Sequence, residues 1–139
     1  MIVECFLDTN VLVYAAAGRG SDEWKRIRAF EILEPAEFGL SGQVLQEFYV
    51  TVTTKVRVKL PATEAVEWVE RLSLRPVAPI DESIVKEAIS LSVRYQISYW
   101  DAALIAAARS LDTRLLYTED LNHGQLYADV RVVNPFRPS

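Results

Sequence analysis

The sequence predicts a three-layer α/β/α domain with a mainly parallel central sheet. Three observations carry that expectation. Ile2 to Leu7 is almost unbroken apolar sequence, the pattern of a strand covered on both faces. Short strand-like segments then alternate with helical patterns along the chain, as in βαβ units. Finally, Ala102 to Ala108 is apolar at every position, so that helix is expected to be buried on both sides. No repeat, low-complexity tract or linker interrupts the 139 residues, which read as one domain spanning 1–139.

Composition narrows the class. Half the residues are hydrophobic, and Gly and Pro are sparse, so the chain is expected to fold. The single cysteine, Cys5, lies in the first apolar run and suits a buried thiol in a reducing cytoplasm. The amino end lacks the basic region of a signal peptide, and Glu4 interrupts its apolar run. No stretch approaches the roughly 20 apolar residues needed to span a bilayer. A cytoplasmic protein without a membrane partner is therefore expected. The net charge of −4 argues against a simple basic coat for nucleic acid. It does not exclude nucleic acid, because carboxylates bound to cations do not repel phosphate as free ones do.

The elements follow in order. After the strand Ile2–Leu7, Val11 to Ala17 is helical, and Gly18-Arg19-Gly20-Ser21 breaks it. Ser21 or Asp22 is placed to cap the next helix, Glu23 to Leu33, with Trp24, Ile27, Phe30 and Leu33 at helical spacing. Pro35 closes that helix. Phe38 to Leu40 reads as a short strand, and Ser41 as the cap of a helix running to about Val56, with Val44, Leu45, Phe48 and Val52 on one side. Pro61 opens another helix. Its apolar face is Ala62, Ala65, Val66, Val69 and Leu72, and Glu64, Glu67 and Glu70 form its solvated edge. Arg75 to Ile80 is extended. Asp81 caps the helix bearing Ile84, Val85, Ala88, Leu91 and Tyr95. Ser98 begins the apolar helix, Arg114 to Tyr117 is the strand before last, and Val130 to Val133 is the final strand.

Four acids then stand out by position. Asp8 ends the first strand, Glu47 flanks an apolar helix stripe, Asp101 lies in the first turn of the apolar helix, and Asp120 follows the Arg114–Tyr117 strand. Each has a structural explanation: Asp8 as a cap, Asp101 in a capping-box-like Ser98-x-x-Asp101, Glu47 as a surface residue, Asp120 in a turn. Together they are less ordinary. In a doubly wound sheet, strand carboxyl ends and helix amino ends gather on one edge, where ligands bind. Carboxylates packed there without a counter-charge cost stability. Mg²⁺ or Mn²⁺, one ion or two, resolves the conflict, and the near absence of His and Cys argues against zinc. Were all four acids neutralised by cations, the formal charge would be zero. A hard cation lowers the pKa of bound water, orients a phosphodiester and stabilises the leaving oxygen.

Four segments carry a family resemblance. They are Phe6-Leu7-Asp8-Thr9-Asn10-Val11-Leu12, Leu45-Gln46-Glu47-Phe48, Ser98-Tyr99-Trp100-Asp101 followed by Ala102 to Ala108, and Leu116-Tyr117-Thr118-Glu119-Asp120-Leu121. In this order, in a chain of this length, they resemble the PIN-domain family, in particular VapC-like toxins of toxin–antitoxin pairs. The resemblance implies a PIN-like fold and a metal-dependent endoribonuclease that hydrolyses RNA with metal-activated water. It implies that Asp8, Glu47, Asp101 and Asp120 are the catalytic, metal-holding acids. Thr9, Asn10, Thr118 and Glu119 are implied as supporting neighbours, with Glu119 an alternative to Asp120 as the fourth acid. A cognate antitoxin and a homodimer are implied as partners.

Lys55, Arg57 and Lys59 follow the Glu47 helix, and Arg19, Lys25, Arg26 and Arg28 follow the Asp8 helix. These are candidate phosphate contacts or solvated charges, and Tyr49, Tyr99 and Trp100 are candidate stacking or packing aromatics. His123, the only histidine, lies in a polar loop outside the catalytic set. The rival functions are a non-catalytic PIN-like module binding RNA or protein, and a PIN-type nuclease acting on other RNA or DNA. Aspartyl-phosphate chemistry is disfavoured because Asn10 stands where a second acid is commonly needed.

Overall fold

The structure is a computed structural model and describes residues 3–138. Among the described residues six strands make one sheet: β1 (Cys5–Leu7), β2 (Phe38–Ser41), β3 (Val77–Ala78), β4 (Leu115–Tyr117), β5 (Leu126–Tyr127) and β6 (Val130–Val133). Their order is β3-β2-β1-β4-β6-β5. Every pairing is parallel except that of β5 with β6. The helices are α1 (Thr9–Ala17), α2 (Glu23–Leu33), α3 (Gly42–Thr54), α4 (Ala62–Leu72), α5 (Glu82–Tyr95) and α6 (Tyr99–Ser110).

All of β1 and β2 is buried, which requires cover on both sheet faces. The helices pack in two groups. α5 lies against α6, which touches β2, β3, β4 and β6, while α1 packs on α2 and α3, and α3 on α4. The seven residues Ala102 to Ala108 are all buried, as their unbroken apolar run predicts. Their many alanines let α6 lie close to the strands while leaving little side-chain entropy to lose.

Several local expectations need correction. The first strand begins at Cys5 rather than Ile2, which lies outside the described residues, and α3 stops at Thr54, short of Val56. Neither Ser21 nor Asp22 caps α2 through its side chain; a 3₁₀ turn, Gly20–Asp22, leads into that helix instead. The buried face of α2 is Ala29, Ile32 and Leu33, whereas Trp24 and Ile27 are exposed. Of the four residues at helical spacing, Leu33 is buried and Phe30 packs against the core, but small Ala29, rather than Trp24 or Ile27, takes the fully buried position. On α4, Ala65 and Leu72 are buried but Ala62 and Val66 are exposed.

Strand β5 went unpredicted, so β4 is third from last rather than second. Its hairpin to β6 turns at Ala128, which takes a left-handed φ of 55° without the glycine or asparagine that marks such turns. The Tyr95 hydroxyl accepts the Ala128 N–H at 2.6 Å and holds that turn from outside. Among the described residues no helix is long and apolar enough to cross a membrane.

Candidate active site

The sheet order places the site. From β1 the chain steps outward to β2 and β3, then returns to lay β4 on the other side of β1. The crevice between the carboxyl ends of β1 and β4 is therefore a topological switch point, where such sheets bind ligands. Leu7 pairs with Tyr117, so the next residues, Asp8 and Thr118, emerge side by side.

Asp8 is 4 % exposed. One carboxylate oxygen accepts the Thr9 N–H at 2.6 Å, which caps α1. Its other oxygen accepts the Thr118 hydroxyl at 2.7 Å and the Asn10 side-chain amide at 3.2 Å. Capping and site-building are thus one arrangement, not alternatives. That amide also reaches Thr118 Oγ1 at 3.3 Å and Asp120 Oδ2 at 3.2 Å, and the Asp120 N–H donates to Thr118 Oγ1 at 3.1 Å. Thr9 Oγ1 donates to Glu47 at 3.2 Å, tying α1 to α3. Asp101 enters from the amino end of α6, where its N–H donates to the Ser98 hydroxyl at 3.1 Å, the cap its spacing predicts.

Burial pushes the Asp8 carboxyl up to about 7, with the charges of Asp120 and Glu47 adding to the rise and its hydrogen bonds from Thr118 and Thr9 opposing it. Burial also raises Asp101, against its Ser98 contact, and again Asp120 and Glu47 add to the rise. The four acids therefore share one electrostatic neighbourhood. Among the described residues, no three acidic, histidine or cysteine side chains gather closely enough to hold an ion jointly. Mg²⁺ commonly takes only one or two protein carboxylates directly and keeps its waters. The donor set suits such an ion: its carboxylates, hydroxyls and amide offer oxygen only. Among the described residues, none hydrogen-bonds the buried Asn10 Oδ1.

Thr118 and Asp120 face Asp8 and Asn10, while Glu119, between them, faces away. Glu119 accepts the Tyr14 hydroxyl at 2.7 Å and Lys25 Nζ at 3.4 Å. In this arrangement Asp120 joins the cluster and Glu119 does not.

Two contributors escaped sequence reading. Gln43 is buried and donates to Glu47 at 3.3 Å and to the Trp100 carbonyl at 3.4 Å, joining α3 to the start of α6. Its i,i+4 spacing from Glu47 was the available signal. Tyr14 stands one helical turn beyond Asn10, the same spacing on α1. Of the basic candidates, Lys55, Arg57 and Lys59 are exposed, and Arg57 lines a pocket with Arg19 between the ends of α1 and α3. Arg26 pairs with Glu23. Trp100 is exposed beside Asp101, with the Tyr99 ring set edge-on at 5.1 Å. His123 accepts the Asn134 N–H at 3.0 Å in its exposed loop.

The family model for the PIN domain matches residues 5–128. Among curated proteins, none matches the chain. Solved structures do. A toxin–antitoxin complex from Klebsiella pneumoniae contains a chain 21% identical, with a TM-score of 0.71, covering 97% of this chain and 100% of that one. VapC20 of Mycobacterium tuberculosis, a sarcin–ricin-loop-cleaving toxin, is 17% identical with a TM-score of 0.65, covering 84% of this chain and 90% of that one. A DNA-bound VapBC from Salmonella typhimurium is 16% identical with a TM-score of 0.62, covering 94% and 97%. At these identities the likeness is one of fold.

Proposed function

The chain belongs to the PIN-domain family, and we propose that it is a divalent-metal-dependent endoribonuclease acting as the toxin of a toxin–antitoxin pair. One observation supports the reading: at the switch point of the sheet Asp8 and Asp120 share the Asn10 amide, Thr9 ties in Glu47, and burial together with the charges of Asp120 and Glu47 raises both Asp8 and Asp101. Asp8 is buried, Asp101 half-buried, and Glu47 and Asp120 are exposed at the rim; like charges gathered around a buried carboxyl without an internal cation are costly, and a fold retains them for what they bind.

Mg²⁺ or Mn²⁺ bound among these acids supplies charge stabilisation at the scissile phosphate and activates water. The chain's own residues do the placing. Asp8 is fixed by Thr9, Asn10 and Thr118, so its oxygens are oriented before anything binds. Asn10 holds Asp120 in the same cluster. Thr9 and Gln43 each hold one oxygen of Glu47. Ser98 starts α6 where Asp101 faces the others. The exposed Lys55, Arg57 and Lys59 hold RNA phosphates, with Arg26 a further contact when released from Glu23. Such contacts position RNA rather than read its sequence.

An antitoxin partner is supported by the toxin–antitoxin complexes among the structural neighbours. Exposed Trp100 and Ile80, which line one pocket, offer apolar surface for a second copy in a homodimer. A cytoplasmic location agrees with an RNA substrate and with the free, buried Cys5.

The test compares RNA cleavage by the wild type, Asp8→Asn and Asp101→Asn, with Mn²⁺ or Mg²⁺ and then with EDTA. Cleavage confined to the metal-loaded wild type is expected. Cleavage that survives both substitutions and chelation overturns the reading. Growth arrest on expression, relieved by the product of a neighbouring reading frame, tests the toxin role.

A further inference from the structure

Residues 118–120 present side chains alternately to two sides. Thr118 and Asp120 turn toward Asp8 and Asn10. Glu119 turns into a separate cluster, where the Tyr14 hydroxyl donates to one carboxylate oxygen at 2.7 Å and Lys25 Nζ approaches the other at 3.4 Å. Lys25 also donates to the Tyr14 hydroxyl at 3.1 Å and stands 4.6 Å from the Tyr14 ring centre, 5.7 Å from those of Trp24 and Phe136. Phe136, itself buried, meets Tyr14 edge-on at 4.9 Å. The cluster thus joins α1, α2, the β4 loop and the carboxyl-terminal segment, and its polar atoms satisfy one another.

Asn10 and Tyr14 lie four residues apart, on one face of α1. One grips Asp120 and the other Glu119, so a rigid helix holds two successive loop residues by their side chains. Asp120 itself is exposed, and its carboxylate has Asn10 as its side-chain partner. The Asp120 N–H on Thr118 Oγ1 pins the backbone on the acid side, and Glu119 adds a side-chain anchor on the opposite side of the loop.

We propose that Tyr14, Lys25 and Glu119 form a positioning clamp that sets Asp120 for cation binding, with Glu119 acting through its neighbour rather than as a ligand. This rests on the metal-dependent reading above. Tyr14→Phe is the sharpest probe, because it removes one hydroxyl and leaves the ring packed on Phe136. It is expected to weaken Mn²⁺ affinity about tenfold in titration calorimetry, the order of one hydrogen bond to a charged group. The turnover number for RNA cleavage falls with it, while KM for RNA does not change.

Two further measurements separate positioning from general loosening. In an Asp120→Asn background, Tyr14→Phe produces no further loss of Mn²⁺ affinity. In the metal-free protein, hydrogen exchange rises at Glu119 and Asp120 but not in β4. Equal losses of affinity in both backgrounds overturn action through Asp120. Unchanged exchange at 119–120 overturns the clamp. Should the wild type bind no Mn²⁺, the metal-dependent reading fails, and the exchange result still decides whether Tyr14 and Glu119 hold the loop.

Discussion

Glu119 and Asp120 are adjacent acids with opposite circumstances. Glu119 meets a phenol and an ammonium group in a part-buried pocket lined by aromatic rings. Burial, and then the carboxylate it donates to, push the Tyr14 hydroxyl above the ordinary tyrosine range, which keeps it protonated and donating. Among the described residues the Asp120 carboxylate meets one amide, and it faces other acids. One region has balanced its charge within the chain. The other has gathered negative charge and left it unbalanced. The difference separates two readings of an acid at a strand end: satisfied carboxylates hold the fold, and unsatisfied ones await something from outside.

Cleavage should show the contrast most strongly. Asp120→Asn is expected to lower RNA turnover by about a thousandfold, as loss of a group that holds the ion, against about tenfold for Glu119→Gln, which disturbs only its support. Equal losses in single-turnover assays would erase the distinction between the two acids.

Stability against pH should follow the unbalanced region. Asp8 holds its proton in the fold to about pH 7, whereas the unfolded chain releases it near the ordinary value of 3.8. Between these values the folded state binds more protons, so metal-free stability falls as pH rises from about 4 to 7, by about 4 kcal/mol at most. The stabilising contribution is fully present below that window and absent above it. Denaturant melts across this range should show the slope in the wild type and lose most of it in Asp8→Asn. Saturating Mn²⁺ at pH 7.5 should raise the wild-type midpoint and leave that of Asp8→Asn nearly unchanged.

The two neighbours should also differ in sign. In metal-free protein at pH 7.5, Glu119→Gln should destabilise by about 1 kcal/mol, since Tyr14 and Lys25 lose a charged partner. Asp120→Asn should be neutral or stabilising, because it relieves repulsion. Chemical denaturation of both variants in EDTA checks the signs. The smallest effect belongs to a solvent-exposed pair, Lys86 with Glu82 at 2.6 Å. Lys86→Ala should change stability by less than about 0.5 kcal/mol, and a larger change would mean that surface ion pairs matter here as much as either acid cluster.

Much of this was legible in the sequence for identifiable reasons. The strand at β1, the caps Ser41, Asp81 and Ser98, and the wholly buried α6 are local signals, governed by period and by side-chain reach of a few residues. The positions of Asp8, Asp101 and Asp120 at element ends follow from the same signals. Which end of the α2 stripe stays buried was not legible, because Trp24 and Ile27 satisfy the same period as Phe30 and Leu33. Nor was β5, whose turn depends on Ala128 adopting a left-handed conformation against its intrinsic preference, with Tyr95 holding the turn.

The sequence by itself determined the α/β class, the buried helix and the acids that stand at element ends, because hydrophobic period and capping chemistry operate over a few residues. Only the tertiary structure decided which acid faces which partner. That choice depends on register, which sets Asp8 beside Thr118, and on one face of α1 meeting the β4 loop at two points. Glu119 and Asp120 are equivalent as neighbouring letters. The bend at residues 119–120, just beyond β4, sends one toward Lys25 and Tyr14 and the other toward the acids, and their chemistry diverges there.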